Sequence, residues 1–242
     1  MIKKNPYLHA GKQQTANDQM NRIHTFALLA ILLIPGLSTA QEGVKIGLRL
    51  SPIIGMANMT DSNKEDIPNL DSKIRLGWSY GLLVDYYFKE HYAFHTGVHI
   101  VNKGYRATFS NPSLKERVRV TAVEIPLALK LRSSEIGDGV RLKGTFGLSM
   151  DAYVGYRNKY EGNSPFDGTN GDGVNKNTKM LNLAGVSFIY GAGLEFSASD
   201  VGTIEVGLSF HQGLNNINNR SKSQRDMLIR ANYLALDLGY YF

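Results

Sequence analysis

Between residues 74 and 88 the chain alternates with a period of two. Ile74, Leu76, Trp78, Tyr80, Leu82, Val84, Tyr86 and Phe88 hold the even positions; Arg75, Gly77, Ser79, Gly81, Leu83, Asp85 and Tyr87 hold the odd ones. Successive side chains of an extended strand point to opposite faces, so this stretch has one apolar face and one mostly polar or glycine face. The apolar face is also sorted, with Leu82 and Val84 between the aromatic pairs Trp78, Tyr80 and Tyr86, Phe88. A strand crossing a bilayer carries this order, aromatic girdles at the interfaces and aliphatic side chains against the lipid tails.

The pattern recurs in eight segments, at roughly 44–57, 74–88, 92–108, 118–132, 140–157, 184–197, 203–213 and 230–242. Short connections (Lys89-Glu90-His91, Ser133 to Gly139, Ala198 to Gly202) alternate with longer polar ones at 58–73, 109–117, 158–183 and 214–229. Short turns on one side and long loops on the other are the topology of outer-membrane barrels, and an even strand number puts both ends in the periplasm. The apolar faces continue through Tyr92, Phe94, Val98 and Ile100; through Val140, Leu142, Phe146, Leu148, Met150, Val154 and Tyr156; through Phe188, Tyr190, Ala192, Leu194 and Phe196; through Ile204, Val206, Leu208 and Phe210; and through Leu234, Leu236 and Leu238. Backbone groups in lipid must all be paired, so such a sheet has to close. The expected fold is all-β, an eight-stranded antiparallel transmembrane up-and-down β-barrel over residues 41–242, located in the outer membrane. Tyr240 and Phe242, aromatic on one face of the last strand, resemble the signal by which the insertion machinery recognises such barrels.

Residues 20–40 read as a signal peptide. Met20-Asn21-Arg22 is a charged start, Phe26 to Ile34 an apolar core, and Ser38-Thr39-Ala40 a small-x-small site for cleavage between Ala40 and Gln41. Residues 1–19 are polar and patternless, and are read as an upstream artefact or an extended leader. Loss of 1–40 removes Lys3, Lys4, Lys12, Arg22 and Asp18, taking the 27 basic and 21 acidic residues to a net of +3. The basic balance is largely leader, and no basic stripe with interleaved aromatics points to nucleic acid. There is no cysteine, hence no disulfide or thiolate chemistry. Mean hydropathy is −0.22, as compatible with a membrane barrel as with a soluble chain, because every second strand residue is polar or small.

The face opposite the apolar one should line the lumen. Lys45, Arg49, Arg75, Asp85, His95, His99, Lys103, Glu124, Lys130, Arg141, Lys143, Asp151, Glu195, Glu205, His211 and Asp237 lie on it, with glycines among them. Eight strands leave an interior just wide enough for side chains. Unpaired charges there would be costly, so these residues are expected to form an ion-pair network that plugs the barrel. One irregularity stands out. Val118 and Val120 hold even positions, whereas Val123, Ile125, Leu127, Leu129 and Leu131 hold odd ones. A one-residue bulge near Ala122 would reconcile them, and Pro126, lacking an N–H, marks weakened pairing. Glu124 and Lys130 then both point inward.

Several stretches resemble the PorT-like outer-membrane barrel family over about residues 41–242. They are Val123-Glu124-Ile125-Pro126-Leu127-Ala128-Leu129-Lys130, Gly97 to Gly104 with its closing Lys-Gly, Tyr190-Gly191-Ala192-Gly193-Leu194-Glu195-Phe196 and the closing Leu236 to Phe242. The resemblance implies a non-enzymatic outer-membrane component associated with type IX protein secretion, whose partners would be other secretion-system proteins. Its departures concentrate in the loops, notably 158–183. The alternative is a small structural or adhesive surface barrel, OmpX-like in role; a lipid A-modifying enzyme is the third reading. In each case the surrounding lipid and lipopolysaccharide are partners.

Candidate chemistry is sparse, and no catalytic residue, metal or cofactor is assigned. Ser209 and His211 share a face, but two strand positions separate them by about 6–7 Å and no third group is identifiable. His95 and His99 are about 13 Å apart along a strand, too far to chelate one ion. Asp167 to Gly173 faintly resembles a calcium loop without the required spacing or closing Glu. That connection is expected to be a surface loop.

Overall fold

The computed structural model describes residues 43–110, 113–162, 173–198, 202–223 and 227–242. The leader segment with Ala40 and Gln41, and most of the calcium-like stretch at 167–172, lie outside them. Among the described residues no helix is long and apolar enough to cross a membrane, and crossing rests on strands.

Those strands are β1 (Val44–Asp61), β2 (Leu70–Lys73), β3 (Arg75–Lys89), β4 (Tyr92–Ser110), β5 (Ser113–Gly137), β6 (Val140–Gly162), β7 (Gly173–Asn175), β8 (Ala184–Ala198), β9 (Gly202–Gly213) and β10 (Met227–Tyr241). Eight form a closed antiparallel ring in chain order, β1-β3-β4-β5-β6-β8-β9-β10. Closure runs from Gly47 opposite Tyr241 to Asp61 opposite Met227. The remaining two are short: β2 continues the wall beside β4, and β7 lies against β6. The tight turns cluster at one end, which is the periplasmic end by the usual asymmetry of such barrels. At Asp138-Gly139 the glycine takes a left-handed φ of 72°, where a Cβ would meet the Ser197 carbonyl at 2.2 Å.

The outside of the ring carries an apolar belt. Leu48, Leu50, Leu82, Leu127, Leu148, Leu208, Leu236 and Leu238 are exposed around it. Toward the periplasmic end it is bordered by Phe88, Tyr92 and Phe94, whose rings lie 5.2–6.2 Å from Phe88, and by Tyr240 with Phe242 at 5.5 Å. Exposed aliphatic surface on this scale is stable only against lipid.

Strand lengths depart from the sequence boundaries in one direction. β5 has 25 residues and β6 has 23, against the roughly 9–11 a strand needs to cross a bilayer. Residues 109–117, read as a loop, are mostly strand, because Phe109, Leu114, Glu116 and Val118 alternate inward with outward Lys115 and Arg117. The sheet therefore rises beyond the belt as a crown. Inside it Ala57, Met59, Tyr105, Ala107, Phe109, Leu114, Val118, Val120, Ala122, Tyr153, Met227, Ile229 and Ala231 pack as an apolar core, which Leu181 and Ile217 of the loops join. Within the belt the inside is polar and the outside apolar; in the crown the polarity is reversed.

This reversal corrects two readings. β5 has no bulge near Ala122: even positions face inward without interruption from Leu114 to Lys130. Val118 and Val120 are apolar because they line the crown's core. The extra residue sits in β6, where Thr121 pairs Gly155 and Ala122 pairs Tyr153, leaving Val154 bulged outward. The phase of β6 flips there, so Tyr156, expected on the lipid face, packs against the crown's core. At Pro126 the β4–β5 register is continuous on both sides, Thr96 opposite Leu127 and His99 opposite Glu124. Pairing is missing only at the intervening residues, where the proline has no hydrogen to donate.

Candidate functional site

The polar interior of the belt is the main concentration of chemistry. Lys130, projecting inward from β5, is its hub. Its ammonium lies 2.6 Å from Asp85 on β3 and 2.7 Å from Glu195 on β8, and it also pairs with Glu205 on β9. Glu205 takes a second cation, Lys143 of β6. Asp85 is held on its other oxygen by His95 Nδ1 at 2.6 Å. The Tyr241 ring floors the hub, its centroid 4.7 Å from the ammonium, and Arg132 stacks on Tyr87 at 4.5 Å. Lys130, Asp85, Glu195 and Glu205 are all buried.

Higher in the lumen Arg49 pairs with Asp237 and donates from Nε to Ser51 Oγ at 2.9 Å. Lys103 pairs with Asp151 at 2.7 Å, directly below the crown's core. Among the described residues the lumen thus holds cations Lys45, Arg49, Lys103, Lys130, Arg132 and Lys143 against anions Asp85, Glu124, Asp151, Glu195, Glu205 and Asp237. Near equality of sign is what an interior shut off from water demands, since each unpaired charge would cost several kcal/mol.

Between these pairs runs a hydrogen-bonded chain. The Ser209 hydroxyl is 3.3 Å from His211 Nε2, His211 Nδ1 is 2.8 Å from the Tyr233 hydroxyl, and Tyr233 donates to Glu124 at 2.8–2.9 Å. These partners fit a histidine protonated on Nδ1 that accepts from Ser209. Two readings change here. Side-chain reach brings Ser209 and His211 into contact, and a third group exists, because Glu124 comes to 3.4 Å of His211 from across the lumen. The order serine, histidine, carboxylate resembles a hydrolytic triad, but all three are buried. The cavity beside them, lined by Lys130, Lys143, Glu205, Ser209, His211 and Asp237, holds about 30 Å³. That is room for water and not for a substrate.

Other residues expected in the network sit at its margins. Arg75 is half-buried at the crown end, reaches the Lys103 carbonyl at 3.5 Å and, among the described residues, pairs with no acid. Arg141 pairs with Glu135 at 3.2 Å on the periplasmic rim. His99 is fully buried, its ring 3.9 Å from Glu124. Ile125 faces lipid, and Pro126 lines the small cavity. Phe242 follows β10, exposed beside Tyr240, its N–H bonded to the Ile46 carbonyl at 3.0 Å. Tyr233 and Tyr241 went unrecognised because aromatics near a strand end suggest a girdle. Their odd positions, shared with Asp237, carried the correct signal. Among the described residues no group of three His, Asp or Glu side chains is placed to hold a metal ion.

Comparison with known proteins agrees with this architecture. A family model described as "Outer membrane protein beta-barrel domain" matches residues 39–219. Curated proteins give no significant match. Similar solved structures include the outer membrane protein OprG from Pseudomonas aeruginosa, 8% identical over 83% of this chain and 97% of that one, with a TM-score of 0.47. The outer membrane protease OmpT from Escherichia coli is 11% identical over 85% and 99%, with a TM-score of 0.46. Neisserial surface protein A is 11% identical over 83% and 100%, with a TM-score of 0.38. Likenesses this distant transfer no activity.

Proposed function

The chain belongs to the outer membrane protein beta-barrel domain family, and from that premise we propose that it is a non-enzymatic barrel acting in protein secretion across the outer membrane, of the PorT type associated with type IX secretion. One observation carries the non-enzymatic part: the lumen is filled end to end, by ion pairs within the belt and by apolar packing in the crown. A barrel whose described interior is packed and whose Ser209–His211 pair is buried has its surfaces left to work with, and these are the crown, the loops and the periplasmic turns. The secretion part is supported by the resemblance of the Glu124-Ile125-Pro126 segment. In β5 that segment sets Glu124 and Lys130 inward as joint anchors of the network.

A second reading, a structural or adhesive surface barrel, is favoured by the length of β5 and β6, which lift a crown beyond the belt. Deletion of the gene, followed by proteomics of secreted and cell-surface fractions, separates the two. Accumulation of exported proteins in the periplasm, reversed by complementation, is the expected result. Unchanged secretion with an altered adhesion or envelope phenotype would replace the secretion reading with the second one.

A further inference from the structure

The Lys130 hub brings together more groups than an ion pair needs. In the sheet register Lys130 of β5 stands opposite Ala93 of β4, and Asp85 of β3 stands opposite His95 of β4. Ala93 is small and wholly buried, which leaves the lysine side chain room to cross β4 to Asp85. A nitrogen 2.6 Å from Asp85 Oδ2 lies about 3–4 Å from the carboxyl carbon, close to a near-attack geometry. Glu195 Oε1 is 2.7 Å from the same ammonium, and among the described residues neither Glu195 oxygen takes a hydrogen bond. His95 Nδ1 is 2.6 Å from the second Asp85 oxygen, Oδ1. The small cavity with room for water is lined by both Lys130 and His95.

Burial sets the direction of the chemistry. In water an ammonium and a carboxylate resist condensation, because each would give up its hydration. Here that hydration is already lost: Lys130, Asp85 and Glu195 are no more than 2% exposed. A neutral amide in their place removes the desolvation cost of two buried charges, and little water is at hand to hydrolyse it.

We propose that Lys130 Nζ and Asp85 Cγ join in an intramolecular isopeptide bond, formed autocatalytically once the barrel has closed around them. Glu195 takes one proton from the ammonium and frees the nitrogen lone pair, which forms the bond to Asp85 Cγ. His95 gives a proton to Oδ1 and is restored by the second proton that the nitrogen sheds. The proton held by Glu195 completes the leaving water as the bond from Cγ to Oδ1 breaks. One ammonium and one carboxylate thus become one amide and one water, and Glu195 and His95 end as they began. Asp85 is a better acceptor than Glu205, whose other oxygen is held by Lys143. That ammonium favours the charge the reaction has to erase, whereas histidine can hand over a proton. The bond staples β3 to β5 across β4, and it is independent of whether the barrel serves secretion or adhesion.

The test is mass spectrometry of the protein extracted from outer membranes, beside the same chain produced as unfolded aggregates and kept in urea. The folded protein is expected to be lighter by one water. Trypsin cuts after Arg75, Lys89, Arg119 and Arg132 but not after an acylated lysine, so it should release a branched peptide joining 76–89 to 120–132. The chain kept in urea should lack the link and gain it on refolding into lipid vesicles. A K130R variant keeps the cation without an amine able to condense, and should fold at full mass. An E195Q variant keeps the lysine and its acceptor, and should form the link about a hundredfold more slowly on refolding. Heat-modifiable migration in gels checks that both variants are folded. Folded wild-type protein of full mass, with Lys130 open to trypsin, would overturn the proposal. A branch from Lys130 to Glu205 or Glu195 would overturn the choice of Asp85, and linkage of E195Q at the wild-type rate would remove Glu195 from the reaction.

Discussion

Lys130 Nζ and Asp85 Oδ2 lie 2.6 Å apart on strands that are not neighbours, β5 and β3, and both are buried. The pair bridges over β4 and ties two walls that share no backbone hydrogen bond. Removing the cation takes one partner from each of three buried carboxylates and, among the described residues, leaves Glu195 with Arg132 alone at 3.7 Å. Lys130→Met should therefore destabilise the barrel by about 3–5 kcal/mol, read as a lower urea midpoint for unfolding from lipid vesicles. An unchanged midpoint would mean that the network does not hold the walls together.

The serine relay yields an opposite prediction. Ser209 shares a hydrogen bond with His211 Nε2 at 3.3 Å and is buried. Ser209→Ala should cost about 1 kcal/mol and leave the lipid A mass spectrum of the cells unchanged. Altered lipid A in that variant would make the relay an active site and end the non-enzymatic proposal.

The bulge at Val154 can be tested by chemical accessibility. Arg157 points outward from the crown and Asn158 inward, where its amide bonds Glu116 at 2.7 Å. In intact cells Arg157→Cys should react with a membrane-impermeant maleimide and Asn158→Cys should not. The reverse pattern would require β6 to keep its lower phase through residue 154.

Two separate seals close the lumen, so weakening one should not open it. The wild-type protein and a Leu181→Ala/Ile217→Ala variant are both expected to show no large, stable conductance in planar bilayers, because the Lys130 hub lies below the crown's core. A steady open channel in the wild type would contradict the filled interior.

How far these features were legible depended on what each position had to satisfy. The faces of β3 followed directly from alternation, since Trp78, Leu82 and Phe88 meet lipid while Ser79 and Asp85 cannot. Val118 and Val120 misled, because an apolar side chain signals lipid only inside the belt. Their exposed neighbours Arg117 and Arg119 held the information that the environment had changed. Tyr156 misled for a different reason: Tyr153-Val154-Gly155-Tyr156 contains no charge to fix the phase, although Gly155 marks a place where a strand bends easily. Pairings inside the lumen were beyond reach. Alternation tells which face Lys130 and Glu205 occupy, but their meeting depends on the stagger between strands 75 positions apart in the chain.

The inversion of polarity at Thr121 gives one strand two opposed rules of substitution. On the outside of β5, lysine is native at position 115, yet at Leu127 it would meet the bilayer at a cost of about 2–4 kcal/mol. On the inside, valine is native at 118, yet at Lys130 it would remove the cation that three buried acids share. Drift in this chain is thus filtered by height as much as by chemistry. A residue-exchange table averaged over the whole strand would score such changes wrongly at one end or the other, and an engineered graft of the crown onto another barrel would have to cut at the row where the rules change sign.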